Sequence, residues 1–183
     1  MSTFYLDMDG VVADFEAGAA LVLSGPRKTE YVQGHYRHND SEWGRLRDEH
    51  RLYSNLPLME HAEELVGLGR QYRDQLGWEL LFLTAVPKHD DMPWAFYDKV
   101  VWAKERFPDI AVHFGPHSTD KYKHCKAGDI LVDDRADNCL QWSSAGGIAV
   151  RVRGQSILPA IQVVQSDLAV RLTRKHSLLQ EVQ

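Results

Sequence analysis

Residues 3–15 read TFYLDMDGVVADF, and this stretch decides the fold. Thr3 to Leu6 is a short apolar and aromatic run, which is typical of a buried strand. The run stops at Asp-Met-Asp-Gly, so the strand delivers two acids, Asp7 and Asp9, at its carboxyl end. Residues 12–23 then follow with the pattern of a helix. The stretch predicts the start of a β-α unit with acids where the strand ends.

The alternation of strands and helices continues through the rest of the chain. Further strands are predicted at 78–83, 110–114, 129–132 and 148–152, and helices at 61–72, 94–107, 136–144 and from 159 to about 172. The strands are continuously apolar, which is typical of a parallel sheet covered by helices on both faces. The predicted fold class is α/β, with a Rossmann-like sheet in one domain over residues 1–183. The polar stretch at about 24–55, called the insert below, is expected to form a small cap within it.

Composition and charge exclude several classes of partner. The 183 residues carry a formal net charge of -5, so no global positive field favours a nucleic acid or an anionic membrane. No apolar run is long enough to span a bilayer, and the N-terminus does not resemble a secretion signal. With only Cys125 and Cys139 present, we expect a soluble protein in a reducing cytoplasm. A homodimer is compatible with these features, as is a small phosphorylated substrate.

Oxygen-bearing side chains follow three of the predicted strands. Asp7 and Asp9 follow the first strand, Thr84 the second, and Asp133 with Asp134 a later one. Because the carboxyl ends of parallel strands share one edge of a sheet, we expect these side chains to converge. A turn or a helix cap explains any one of these motifs, but a cluster of carboxylates repels itself without a cation. Hard oxygen ligands suit Mg²⁺, so the sequence predicts a magnesium site.

The motifs resemble, in order, those of the haloacid dehalogenase superfamily of phosphatases. The similar segments are residues 7–15, Thr84, a lysine within Asp120-Lys121-Tyr122-Lys123, and residues 130–135, ILVDDR. The chain looks most like the 5'(3')-deoxyribonucleotidases, because residues 13–15, 133–135 and 97–102 are similar to theirs. The resemblance spans most of the chain. It implies a haloacid dehalogenase fold and a Mg²⁺-dependent phosphatase that forms an aspartyl-phosphate.

The resemblance also implies a role for each matched acid. Asp7 would be the nucleophile that takes the phosphoryl group, and Asp9 the general acid and base. Thr84 would donate its hydroxyl to the phosphate oxygens. Mg²⁺ would be held by Asp7, the main-chain carbonyl of Asp9, Asp133 and Asp134. Of the last two, Asp134 is expected to make the direct bond and Asp133 to act through water.

A lysine is expected to neutralise the charge shared by the nucleophile and the phosphate. Lys121 and Lys123 are both candidates. Thr119 or Asp120 is a plausible helix N-cap, which would place Lys121 in the first turn facing the site, so we favour Lys121. Lys123 remains the alternative, because some deoxyribonucleotidases have its shorter spacing to the acids of residues 133–134.

Four further residues are expected to contact the substrate. Gly10 lets the chain turn so that main-chain amides approach the phosphate, and Arg135 is placed to meet a polar edge. Phe15 corresponds to an aromatic that lies against the base in the resembling nucleotidases, although a core position explains it equally well. Ala85 stands where those enzymes usually have a serine. We expect a nucleoside monophosphate between Phe15 and aromatic residues of the insert, namely Tyr31, Tyr36, Trp43 and Tyr53.

Three functions from different classes remain open. The first is a nucleotide phosphatase, the second a phosphatase for another small metabolite or a polynucleotide end, and the third a non-catalytic binding protein on the same fold. Arg45, Arg47 and Arg51 of the insert keep the polynucleotide version open. The histidines at 35 and 38 match no recurrent zinc spacing and are expected to be solvated.

Overall fold

The computed structural model describes residues 1–28, 31–32, 35–36, 38–49, 51–87, 92–115 and 117–180. The strands are β1 (Thr3–Leu6), β2 (Tyr31–Val32), β3 (His35–Tyr36), β4 (Glu79–Thr84), β5 (Ala111–Phe114), β6 (Ile130–Asp133) and β7 (Ile148–Arg151). The α-helices are α1 (Phe15–Leu23), α2 (Asp40–Asp48), α3 (Ala62–Leu76), α4 (Trp94–Arg106), α5 (Ala136–Ser144) and α6 (Leu158–Gln180). Five strands form one parallel sheet flanked by helices, which is a Rossmann-like α/β fold.

The order of the strands creates a crevice beside β1. The sheet runs β5-β4-β1-β6-β7, so the chain moves outward from β1 in one direction and later returns to its other side. At such a reversal the connections leave in opposite directions, and open α/β sheets bind ligands there, beyond the carboxyl ends of the strands. The acids that follow β1 and β6 lie at this place.

The pleat of β1 sends alternate residues into different clusters. Phe4 and Leu6 are fully buried in the main hydrophobic core. Tyr5 belongs to a smaller cluster and packs edge-on against Trp142 of α5, with ring centroids 5.2 Å apart. Because both faces of the strand are covered, every position of the run is apolar or aromatic rather than every second one.

Several helix ends differ from the predicted ones. β1 has the predicted bounds, but α1 begins at Phe15 instead of residue 12. The side chain of Asp14 accepts a hydrogen bond from the amide of Ala17 at 2.9 Å and so caps the helix, while a tight turn closes on the carbonyl of Met8 before it. α6 continues to residue 180, well beyond 172. Among the described helices, none combines the length and apolar character that crossing a membrane requires.

The elements found in the described residues of the insert are short. β2 and β3 pair antiparallel, and α2 and a 3-10 turn (Tyr53–Asn55) follow. Arg45 of α2 donates hydrogen bonds to the carbonyls of Val22 and Leu23, at 2.8 and 3.1 Å. Those carbonyls have no partner within the helix, so Arg45 joins the insert to the end of α1. Residues 29, 30, 33, 34, 37 and 50 of the insert lie outside the described residues.

Asp129 joins the amino ends of the two central strands. Its carboxylate is fully buried and accepts hydrogen bonds from the amides of Thr3 and Lys126, at 2.8 and 3.0 Å. Its main-chain oxygen accepts from the indole of Trp142 at 3.2 Å. A buried amide without an acceptor is costly, so this carboxylate stabilises the edge of the sheet opposite the acids of residues 133–134.

We predict that Asp129→Ala lowers the free energy of unfolding by about 2 kcal/mol or more, because two amides lose their acceptor. Urea unfolding followed by circular dichroism measures the change. Asp48→Ala, an exposed acid at the end of α2, is the matched control and should stay close to wild type. Equal losses in the two variants would contradict the role given to Asp129.

Candidate active site

A cavity of about 220 Å³ lies at the carboxyl edge of the sheet. The strand ends line it with Asp7, Asp9 and Asp134, and the insert lines it with residues that include Trp43 and Tyr53. Gly10, Phe15, Ala85, Lys121 and Arg135 also line it. The cavity therefore has acids on one side and aromatic rings on another.

Three acids converge because β1 and β6 are neighbours in register. Leu6 pairs with Val132, so the next residue on each strand path, Asp7 and Asp133, lies at the same height, with Asp134 directly after. Carboxylate oxygens of Asp7, Asp133 and Asp134 lie within 4.8 Å of one another. Such a group could hold a divalent cation, since Mg²⁺ prefers carboxylate oxygens.

Lys121 is the buried cation of this cluster. Its side chain is 2% exposed, and its Nζ lies 2.7 Å from Asp7 Oδ2 and 2.7 Å from Asp133 Oδ2. Burial lowers the pKa of Lys121, but the two carboxylates outweigh it and hold the pKa above its ordinary value. One ammonium group cannot balance three ionised carboxylates, so a negative charge remains.

Burial and mutual repulsion both act on the pKa values of the acids. Burial raises the pKa of Asp7 to about 7, although Lys121 opposes the shift. Burial and repulsion by Asp133 and Asp7 raise the pKa of Asp134 well above its usual range. A divalent cation would relieve this repulsion, and the donor set fits one.

Asp133 is held from several directions. It is completely buried, and its Oδ1 accepts hydrogen bonds from the amide of Arg135 at 2.8 Å and from Asn138 Nδ2 at 3.0 Å. Its Oδ2 accepts from Asn138 at 2.9 Å and from Lys121 at 2.7 Å. With these donors in place, Asp133 fixes the position of Lys121 and does not line the cavity.

Asp134 lines the cavity, and Gly10 makes room for it. A Cβ placed on Gly10 would lie 2.8 Å from Asp134 Oδ2. Gly10 also has φ +76°, in the left-handed region that side chains disfavour. The left-handed backbone and the neighbouring carboxylate of Asp134 therefore both favour glycine at residue 10.

The structure separates the two candidate lysines. Lys121 lies in a 3-10 helix (Ser118–His124), so the expected cap at Thr119 or Asp120 is wrong, although Lys121 still points to the acids. The side chain of Lys123 is 61% exposed and pairs with Asp120 at 2.6 Å. Only Lys121 of this pair reaches Asp7.

Thr84 has a different surrounding from the expected one. It is completely buried and does not line the cavity, whereas the next residue, Ala85, does. Its hydroxyl accepts a hydrogen bond from Lys99 Nζ at 3.0 Å. The same ammonium group forms an ion pair with the carboxylate of Asp9 and lies 4.7 Å from the ring centre of Tyr53. Thr84 thus positions Lys99, which in turn holds Asp9.

Lys99 is a site residue that the sequence reasoning missed. It is 1% exposed and lies four residues after Ala95 and three before Trp102, both fully buried. Residues at these spacings share one face of a helix. A lysine on the apolar face of α4 requires a buried anion nearby, and that requirement is the signal which could have found it.

Phe15, Trp43 and Tyr53 form one wall of the cavity, called the aromatic wall below. Phe15 lines the cavity, and its ring centre is 6.0 Å from that of Trp43 and 6.0 Å from that of Tyr53. The side chains of Tyr31 and Tyr36, which were also expected here, lie outside the described residues. Phe15 therefore joins the first helix to the insert at the cavity wall.

Two polar pairs at the wall were not foreseen. Arg27 donates to both carboxylate oxygens of Asp14, at 2.8 and 2.7 Å, and both residues line the cavity. The prediction that His38 is solvated is wrong: its side chain is 2% exposed, and its Nε2 lies 3.1 Å from Glu16 Oε1. Its burial is explained by the pairing with Glu16 of α1, a residue that the spacing of the histidines does not indicate.

The chain matches no model of a known protein family, and a search of curated proteins returns no significant match. The functional assignment therefore depends on the motifs and on the geometry of the cavity.

We predict that Lys121→Met lowers the free energy of unfolding of the metal-free protein by about 3 kcal/mol at pH 7.5, because buried carboxylates lose their cation. The pKa of Asp7 is higher in the folded protein than in the unfolded chain, so the free energy of unfolding falls as the pH rises from the unfolded pKa to the folded one. Without Lys121 the folded pKa is higher still, so the free energy of unfolding falls further over this range. The deficit should therefore be smaller at pH 5.5.

The measurement is urea unfolding of both proteins in chelator at the two pH values. Lys123→Met is the matched control, because its ammonium group is in water, and it should unfold with the wild type. A deficit that is the same for both lysines, or independent of pH, would contradict the charge balance described here.

Proposed function

We propose that this protein is a Mg²⁺-dependent phosphatase of the haloacid dehalogenase type, which hydrolyses phosphate monoesters through an aspartyl-phosphate on Asp7. One observation carries the proposal: Asp7 and Asp134 line a small cavity, and a buried lysine lies 2.7 Å from Asp7. The motif resemblance supplies the reaction type. A non-catalytic binding protein would have no need for this costly arrangement of buried charges.

Asp7 is the proposed nucleophile. Its Oδ1 accepts a hydrogen bond from the amide of Met8 at 2.7 Å, and its Oδ2 is paired with Lys121. These contacts fix the carboxylate at the cavity floor. In the proposed first step a bond forms between a carboxylate oxygen of Asp7 and phosphorus while the bond from phosphorus to the ester oxygen breaks. Lys121 offsets the charge that the carboxylate and the phosphoryl oxygens share.

Asp9 is the proposed general acid and base. It lines the same cavity two residues from Asp7, and its carboxylate is held by Lys99. In its protonated form Asp9 gives a proton to the departing alkoxide, and the carboxylate so formed takes a proton from the water that attacks the phosphorus of the aspartyl-phosphate. The second step releases inorganic phosphate and restores Asp7.

Mg²⁺ is the proposed cofactor. Its proposed ligands are Asp7, Asp134 and the main-chain carbonyl of Asp9. Asp133 would contact the ion through water. When bound, the ion supplies positive charge to the phosphoryl oxygens. The raised pKa values of Asp7 and Asp134 are consistent with acids that pair with a cation.

A nucleoside monophosphate is the proposed substrate. The cavity, about 220 Å³, is small, and the aromatic wall of Phe15, Trp43 and Tyr53 suits a planar base. The deoxyribonucleotidase resemblance favours deoxyribonucleotides. Arg135, which lines the cavity next to Asp134, is placed to meet a polar group of the substrate.

A polynucleotide end is a weaker candidate. Arg45 is engaged with the carbonyls at the end of α1, and Arg51 forms an ion pair with the buried Asp98 at 3.2 Å. Arg47 donates to the carbonyl of Trp43 at 3.2 Å. Arginines that hold the insert in place do not form the basic groove that a nucleic acid strand requires.

We predict that phosphate release requires both Asp7 and Mg²⁺, since they act on one phosphoryl group. Asp7→Asn should fall to the assay background while its circular dichroism spectrum stays native, and chelator should silence the wild type until Mg²⁺ is restored. Asp137→Asn, an exposed acid of α5, is the control and should turn over normally. Wild-type turnover by Asp7→Asn would refute the mechanism.

We predict that Asp9→Asn slows the hydrolysis of alkyl phosphates by roughly 10²- to 10⁴-fold, and slows p-nitrophenyl phosphate much less, because p-nitrophenolate leaves without a proton. Lys99→Met should show the same dependence on the leaving group, since it acts through Asp9. The measurement is kcat/KM over a series of esters whose leaving groups differ in pKa. If Asp9→Asn loses the same factor on all esters, the acid role of Asp9 is contradicted. If only Lys99→Met does so, Lys99 has only a structural role.

A further inference from the structure

Glu16 has a carboxylate oxygen that nothing within the described residues satisfies. The residue lies in the first turn of α1, its side chain is 8% exposed, and it lines the cavity. Its Oε1 lies 3.1 Å from Nε2 of His38, whereas its Oε2 is buried and has no hydrogen-bond partner. Glu16 therefore lines the cavity with a carboxylate of which one oxygen is engaged and the other is unsatisfied.

A buried carboxylate oxygen without a donor is costly. Burial raises the pKa of Glu16, and the imidazole of His38 opposes the shift. When the carboxylate is ionised, both of its oxygens are acceptors, so the imidazole is the donor in the pair. Leaving Oε2 without a donor costs free energy that a ligand bringing an N–H or O–H group would recover.

His38 fixes the direction of this oxygen. Its side chain is 2% exposed, its ring meets Trp43 edge-on with centroids 5.6 Å apart, and its Nδ1 lies 3.7 Å from Glu42 Oε2. These contacts leave the imidazole little freedom to turn, so Glu16 Oε1 is held in one place. The second oxygen is thereby oriented in advance.

The residues around Glu16 suit the binding of a nucleobase and do not suit the binding of a phosphate group. Phe15, its neighbour in the chain, presents a ring to the cavity, and the rings of Trp43 and Tyr53 lie beside it. The carboxylate would repel a phosphate, which has its own cationic site at Lys121. Aromatic walls with one directed acceptor match a planar, donor-bearing ring.

We propose that Glu16 is a specificity-determining residue that accepts a hydrogen bond, through Oε2, from an N–H group on the base of the substrate. The inference rests on the proposed phosphatase function and specifies its substrate class: nucleotides whose base carries an N–H donor. A ring without such a donor would leave the oxygen unpaired, so the site rejects it.

Two matched pairs of deoxyribonucleotides test the proposal. dTMP is compared with its 3-methyl derivative, and dAMP with the monophosphate of purine deoxyriboside, so that one member of each pair has no N–H on the base. We expect the wild type to favour the donor-bearing member of at least one pair about tenfold or more in kcat/KM. Glu16→Gln, which keeps the shape of the side chain, should reduce that ratio to near one, and Glu16→Asp, which withdraws the oxygen, should reduce it as well.

The controls separate this inference from the proposed function. p-Nitrophenyl phosphate is hydrolysed by the wild type if the phosphatase proposal is correct, whatever Glu16 does, and a wild type that is inactive on all esters refutes both. An unchanged donor ratio in folded Glu16→Gln overturns the inference alone. Activity on p-nitrophenyl phosphate without turnover of any nucleotide overturns the inference and the proposed nucleotide substrate, but not the phosphatase mechanism. Glu63→Gln, an exposed acid of α3, should keep the wild-type ratio.

Discussion

The ammonium group of Lys121 lies 2.7 Å from carboxylate oxygens of both Asp7 and Asp133, beneath the cavity floor. Parallel strands that end in acids place like charges side by side, and burial makes their repulsion stronger. The fold tolerates this because the 3-10 helix after β5 delivers a lysine between them. Asn138 adds two more hydrogen bonds to Asp133. The geometry of the site depends on this local charge balance.

Each acid of the Asp-Met-Asp segment has its own buried lysine. Asp7 is paired with Lys121, and Asp9 with Lys99 from α4. The two lysines come from different connections of the sheet. The surroundings of a carboxylate set its pKa and therefore its chemical role. Two identical carboxylates only two residues apart can thus take different roles.

The insert completes the cavity from the other side. Arg45 and the Glu16–His38 pair join it to α1, and Arg51 joins it to Asp98 of α4. These contacts are polar and local, and they hold Trp43 and Tyr53 beside Phe15. A few hydrogen bonds and ion pairs thereby decide the shape of the wall that a substrate would meet.

The sequence by itself determined the α/β class, the bounds of β1 and the edge at which the acids meet. Those features follow from short-range rules: continuous apolar runs predict covered parallel strands, and parallel strands share their carboxyl edge. It also favoured Lys121, though for a helix cap that does not exist. Only the tertiary structure decided which groups pair with the acids. Lys99 and Asp9 are 90 residues apart, and His38 and Glu16 are 22 apart, so no local pattern joins them. Such pairs form because buried charges and polar groups must find a partner wherever the packing of distant elements brings one.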